Sequence, residues 1–138
     1  MGFGESMNVL GHAIINFVLG IALQLNRLEI LFFVLGAMII DLDHPVYMMF
    51  AEGIYSPKKM WKWHCRENAT HVPHPFFLHL IEIILVLCII GYFVNWFVFL
   101  FFIGMLVHWI VDMAVHRIYH GDFCSLKYYS LTGYFFFR

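Results

Sequence analysis

The sequence predicts an all-α polytopic membrane protein with four transmembrane helices arranged as two antiparallel hairpins. Three observations carry that expectation. Hydrophobic residues make up 62% of the 138 positions, charged residues only 12%, and the mean hydropathy is +0.80, which is more apolar than a soluble domain of this length. Four apolar stretches approach the roughly 20 residues that a helix needs to cross hydrocarbon. None of them alternates with period two, and a membrane barrel would need many more strands.

The stretches run over 8–25, 28–50, 76–95 and 96–116. Little more than Asn26 and Arg27 joins the first two, and Asn95 and Trp96 join the last two, so each pair has to fold back on itself. A polar segment, 51–75, separates the hairpins, and an aromatic tail, 117–138, follows them and is expected at the interface or against a neighbouring subunit, which leaves room for a homo-oligomer. The chain is expected to form one membrane-embedded domain.

Basic residues set the expected orientation. Lys58, Lys59, Lys62 and Arg66 lie in the central segment and Arg117, Lys127 and Arg138 after the fourth stretch, while only Arg27 lies in a hairpin turn. By the positive-inside rule both termini and the central segment face the cytoplasm, as in a bacterial inner-membrane protein. The run Lys58-Lys59-Met60-Trp61-Lys62-Trp63 has the composition of an interfacial helix on anionic lipid headgroups, or of a solvated loop with two interfacial tryptophans. A net charge of −1 and the lack of a long basic, aromatic-interleaved tract speak against nucleic-acid binding. Cys65, Cys88 and Cys124 form no Cys-x-x-Cys pair, and Cys88 reads as core.

Against this apolar background stand nine histidines. Imidazole and carboxylate are costly in hydrocarbon, so their positions carry information. His12 opens the first stretch, Asp41, Asp43 and His44 close the second, His64, His71, His74 and His79 crowd the approach to the third, and His108, Asp112 and His116 recur along the fourth. With an even number of spans all of these fall at the same membrane face, in one layer near the inner boundary of the hydrocarbon.

Within the fourth stretch His108, Asp112 and His116 are spaced i, i+4, i+8 and share a stripe, so His108 and Asp112 can offer two ligands to one ion. His12 and Asn16 share the same spacing, which suits Asn16 to a supporting hydrogen bond. At about 100° per residue, Asp41 and His44 share a face while Asp43 does not, leaving Asp43 for a second ion or for capping the next segment. Mixed imidazole and carboxylate donors suit a divalent metal, zinc first, with manganese or iron as alternatives. Taken singly, several histidines have plainer readings. His79 and His116 read as hydrogen-bonded helix contacts or proton carriers, His64 and His120 as interfacial groups, and His74, between two prolines, as a turn-former. Glu82 is expected either in the polar layer or on a neighbouring polar group.

These residues resemble a family. His12 in the first helix, Ile40-Asp41-Leu42-Asp43-His44 ending the second, Arg66 followed by Thr70-His71 ahead of the third, and His108 with Asp112 in the last are similar to the pattern of the membrane-bound metal-dependent hydrolases, which include the LexA-regulated, SOS-induced members. The likeness spans residues 12 to 112. Where the family reads His-Arg-Gly-x-Thr-His-Ser, this chain reads His64-Cys65-Arg66-Glu67-Asn68-Ala69-Thr70-His71-Val72, with the first histidine offset and the glycine and serine replaced. The resemblance implies hydrolysis, and with it the expected reading is one or two divalent ions held by His12, Asp41, His44, His71, His108 and Asp112 and acting on an ester or phosphoester, while the headgroup depth of the polar layer favours an amphiphilic, lipid-like substrate. In that scheme Arg66 steadies an anionic headgroup through a charge-assisted fork, and Asp43 or His74 serves as general base or proton carrier. Two other classes use the same residue types, a metal or proton transporter and a non-catalytic subunit whose metal staples the bundle. Transport is disfavoured because the outer halves of the four stretches offer only Asn16 and Gln24 as polar stations.

Overall fold

The computed structural model describes residues 9–64, 77–120 and 130–136, and every described element is helical. Helix α1 spans Val9–Ala22 and α2 spans Arg27–Ile39. A single 3-10 turn, Ile40–Leu42, leads into α3, Asp43–Phe50, and α4 follows at Pro57–His64. A second 3-10 turn, Phe77–His79, precedes α5, Ile81–Val94, and α6 runs over Trp96–His120. A short α7, Leu131–Phe136, closes the described chain. The two hairpins expected from the sequence are α1–α2 and α5–α6, and the tail region 117–138 begins inside α6.

Two rods, Arg27–Phe50 and Trp96–Val115, are long and apolar enough to cross a membrane, whereas α1 and α5 are apolar but have 14 residues each. The expectation of four full-length spans is corrected accordingly, and local chemistry explains the shortening. Helix α1 stops at Ala22 because Gln24 adopts φ 58°, while Gln24 N donates to Ile21 O and Leu25 N to Gly20 O, the paired bonds of a Schellman stop. Two residues later Asn26 caps α2, its Oδ1 accepting from Leu28 N and Glu29 N, and Glu29 returns a bond to Asn26 N at 2.7 Å. Helix α5 starts late because Phe77–His79 winds as 3-10 and Leu80 is extended at ψ 115°. At the hairpin ends Trp96 Nε1 donates to Glu29 Oε1 at 2.8 Å, which ties the two turns together.

The helices pack in the order α1, α2, α6, α5, with α2 against α6 at the centre. That central crossing is set by two glycines. A methyl group on Gly36 would fall on the backbone carbonyl of Phe101, and one on Gly104 on the carbonyl of Phe33, so the backbones touch directly. Small residues at a close crossing are how helices associate where lipid removes the hydrophobic drive. Around it Phe33, Ile84 and Met105 are almost fully buried.

Burial is otherwise inverted. His12, Asn16, His79 and His108 are 0–1% exposed, while Leu10, Phe17, Ile89 and Phe93 are 51–81% exposed. A water-soluble domain places these classes the other way round.

The C-terminal α7 is pinned to the start of α5. Glu82 accepts from Ser130 Oγ at 2.6 Å and from Leu131 N and Thr132 N at 3.1 Å, and Ser130 Oγ accepts from Gly133 N. Of the two roles expected for Glu82, the structure supports the contact with a neighbouring polar group. Bonds to an ionised acceptor are worth about 1.5–3 kcal/mol when buried and less when partly exposed as here. Glu82→Ala is therefore expected to speed amide exchange over 131–136 by roughly tenfold, read by hydrogen–deuterium mass spectrometry. Unchanged exchange would show that α7 is held by packing alone.

Candidate metal centre

The polar layer assembles from five elements at one end of the bundle. His12 enters from the first turns of α1, Asp41 from the 3-10 turn, Asp43 and His44 from the start of α3, His79 from the turn before α5, and His108 and Asp112 from α6. The 3-10 turn is what brings Asp41 and Asp43 together. In an α-helix residues two apart point about 160° from one another, and at three residues per turn the divergence falls to about 120°. Asp41 then faces His108 and His79 while Asp43 reaches His79 from the other side.

Each of the two central imidazoles is fixed through Nδ1. His108 Nδ1 lies 2.7 Å from the Ala37 carbonyl, which can only accept, so Nδ1 carries the proton. Ala37 belongs to the last turn of α2, where carbonyls lack an α-helical partner. His79 Nδ1 lies 3.2 Å from the Asp43 carboxylate, whose Oδ2 also accepts from Leu78 N at 2.9 Å. Both rings therefore present Nε2 to the same space.

That space is bounded by two carboxylate oxygens. His108 Nε2 is 3.2 Å from Asp112 Oδ2 and 3.4 Å from Asp41 Oδ1, and His79 Nε2 is 3.9 and 3.7 Å from the same two atoms. His108 Nε2 is buried and completes a hydrogen bond to neither. With Nδ1 protonated, a neutral ring would aim a lone pair at two carboxylates, an arrangement stable only with a cation or a second proton between them. Zinc ligands at about 2.0–2.1 Å imply edges of about 3.3 Å in a tetrahedral set. The four imidazole–carboxylate distances, 3.2 to 3.9 Å, lie at or above that edge, and three donors at a time, Asp41 with His79 and His108 or Asp112 with His108 and His12, stand close enough together to share one ion.

His12 reaches the other oxygen of Asp112, with Nε2 at 3.0 Å from Oδ1, and its ring stacks on His108 at 3.6 Å. His44 stands further out. Its Nδ1 contacts Asp43 Oδ1 at 3.2 Å and its ring stacks on His79 at 4.9 Å. Among the described residues, metal-competent groups are His12 with His108 and Asp112, Asp41 with His79 and His108, and Asp43 with His44 and His79. Asp41 is thus grouped with His79 and not with His44, the partner its i, i+3 spacing had suggested.

His79 is the residue that sequence reasoning passed over. Its partners Asp41, Asp43 and Asp112 lie 33 or more positions away, so no spacing within its own helix announces it. The one available signal was its place in the polar layer. Arg66, His71 and His74 lie outside the described residues, as does the side chain of His116. No family model, curated protein or solved structure matches the chain.

Proposed function

We propose that the protein is a membrane-embedded hydrolase that uses a divalent metal, zinc first with manganese or iron as alternatives, on an ester or phosphoester of an amphiphilic lipid-like substrate. The observation that carries the metal is the facing of two tautomer-fixed Nε2 atoms with two carboxylate oxygens in a buried site. Asp41, His79, His108 and Asp112 would hold the ion. A divalent ion there would supply Lewis acidity and bring the pKa of water toward neutrality.

The chain's own groups supply the rest. Asp43 and the Ala37 carbonyl orient the two imidazoles, and supporting partners of this kind usually matter nearly as much as ligands. His12 orients Asp112 from its second oxygen. The carboxylate side chains of Asp41 and Asp112 are 12% and 15% exposed while the rings of His79 and His108 are fully buried, so an anionic or ester group would approach from the carboxylate side. Arg66 as headgroup anchor, His71 as ligand and His74 as proton carrier stay in the proposal on sequence grounds. Membrane embedding is supported by the two span-length rods, the inverted burial and the glycine crossing. Resemblance to the membrane-bound metal-dependent hydrolases favours hydrolysis over other uses of such an ion.

Elemental analysis of detergent-purified protein tests the first half. Stoichiometric zinc, manganese or iron is expected in the wild type and its loss in Asp41→Ala and His108→Ala. The second half is tested by release of product from ester and phosphoester lipids in mixed micelles. A metal-loaded protein that hydrolyses none of them would instead be a bundle stapled by its ion, since binding and folding free energy are then one quantity.

A further inference from the structure

One turn beyond His12 along α1 the helix buries a second polar group that the metal centre does not use. Asn16 is 0% exposed and its Nδ2 donates to the His12 carbonyl at 3.0 Å, which fixes the amide orientation, because the carbonyl requires a donor. Asn16 Oδ1 is left as a buried acceptor with no hydrogen-bond partner among the described residues. His12 Nδ1 is in the same condition. Since His12 Nε2 faces the Asp112 carboxylate at 3.0 Å, Nε2 carries the ring proton and Nδ1 is the lone pair.

Two acceptors at i and i+4 stand about 5–6 Å apart at Cβ on one helix face, and two acceptors cannot satisfy each other. A leucine would fill the place of Asn16 without the standing cost of an unpaired amide oxygen. We propose that His12 Nδ1 and Asn16 Oδ1 form a receptor for an O–H donor, lying between α1 and the α2–α6 pair one turn inside the metal centre. The donor is an internal water or the hydroxyl of a lipid-like ligand. A water has the two O–H groups needed to serve both acceptors, whereas a lipid hydroxyl serves one of them and brings its acyl chain into the apolar packing. The receptor rests on the reading above, in which His12 donates from Nε2 to Asp112 and is not itself a ligand.

The test compares wild type with Asn16→Leu, both in an amine-oxide detergent that has no hydroxyl, with and without added monoolein. A density map that resolves ordered water should show a peak within hydrogen-bond reach of both His12 Nδ1 and Asn16 Oδ1, absent in Asn16→Leu. The variant should melt roughly 3–6 °C lower. An isolated peak and an equal loss of melting temperature with and without monoolein identify water. Density continuous with an acyl chain, and a loss that appears only with monoolein, identify the lipid hydroxyl. No density between the two atoms, or an Asn16→Leu protein as stable as the wild type or more so, overturns the proposal.

Discussion

Gly36→Ala is expected to be strongly destabilising for a single methyl group, costing roughly 3 kcal/mol or more because the overpacking cannot be relieved by a rotamer change. The added carbon meets the Phe101 carbonyl, which is backbone, so α2 and α6 must separate along the crossing that also holds Phe33 and Met105. Gly104→Ala attacks the same crossing from the other side at the Phe33 carbonyl. Once the helices have parted for one methyl, the second finds space already open, so the double variant should cost clearly less than the sum of the two singles. Gly20→Ala is the control. Its new carbon would meet Ile30 Cγ1 at 3.0 Å, a side-chain atom that can give by a few tenths of an ångström where backbone cannot, and its cost should stay below about 1.5 kcal/mol. Denaturant titration by circular dichroism in detergent reads all four, and additive costs for the glycine pair would show that the two sites are separate contacts.

His79→Ala is expected to abolish metal binding, while His44→Ala leaves the ion in place with weakened affinity. The two histidines differ in what they face. His79 Nε2 looks toward Asp41 and Asp112, and its Nδ1 is held by Asp43, whereas His44 Nδ1 contacts Asp43 itself. Losing a supporting partner typically costs 10–100-fold in metal affinity, whereas losing a ligand removes stoichiometric binding altogether. Asp43→Asn should resemble His44→Ala more than His79→Ala, since it weakens the hold on the His79 ring without deleting the ring. Metal content after dialysis against a graded chelator separates the outcomes. Retention of the ion by His79→Ala would take that histidine out of the coordination set.

The apolar runs and their two-residue joints made the hairpins legible, because Asn26 with Glu29 and Asn95 at the α6 start carry their own capping chemistry. Legibility failed where geometry depends on a change of helix type. Counting at 100° per residue puts Asp41 on one face with His44, whereas across the turn of 3-10 helix it is His79 and His108 that join Asp41 in a metal-competent group. The same counting left His79 isolated, since its partners come from other elements. The polar layer itself was readable, as buried ionisable groups in an apolar chain have few places to go. The supporting carbonyl of Ala37 was not, because every residue has a carbonyl and only the fold decides which one is released. The lengths of α1 and α5 were overestimated for a related reason: hydropathy continues through Leu23, Leu25 and Leu80, but the backbone there has already left the helix.

Those short helices have a consequence for the surrounding lipid. At about 1.5 Å per residue the 14-residue α1 and α5 are about 21 Å long, against about 36 Å for the 24-residue rod Arg27–Phe50. A hydrocarbon layer of about 30 Å matches the rod but overshoots the outer pair. In a bilayer the acyl chains beside the described lengths of α1 and α5 would shorten to meet them, at a fraction of a kcal/mol for each ångström. A bundle of this kind, once embedded, would carry a ring of uneven thickness, pinched along its two flanks.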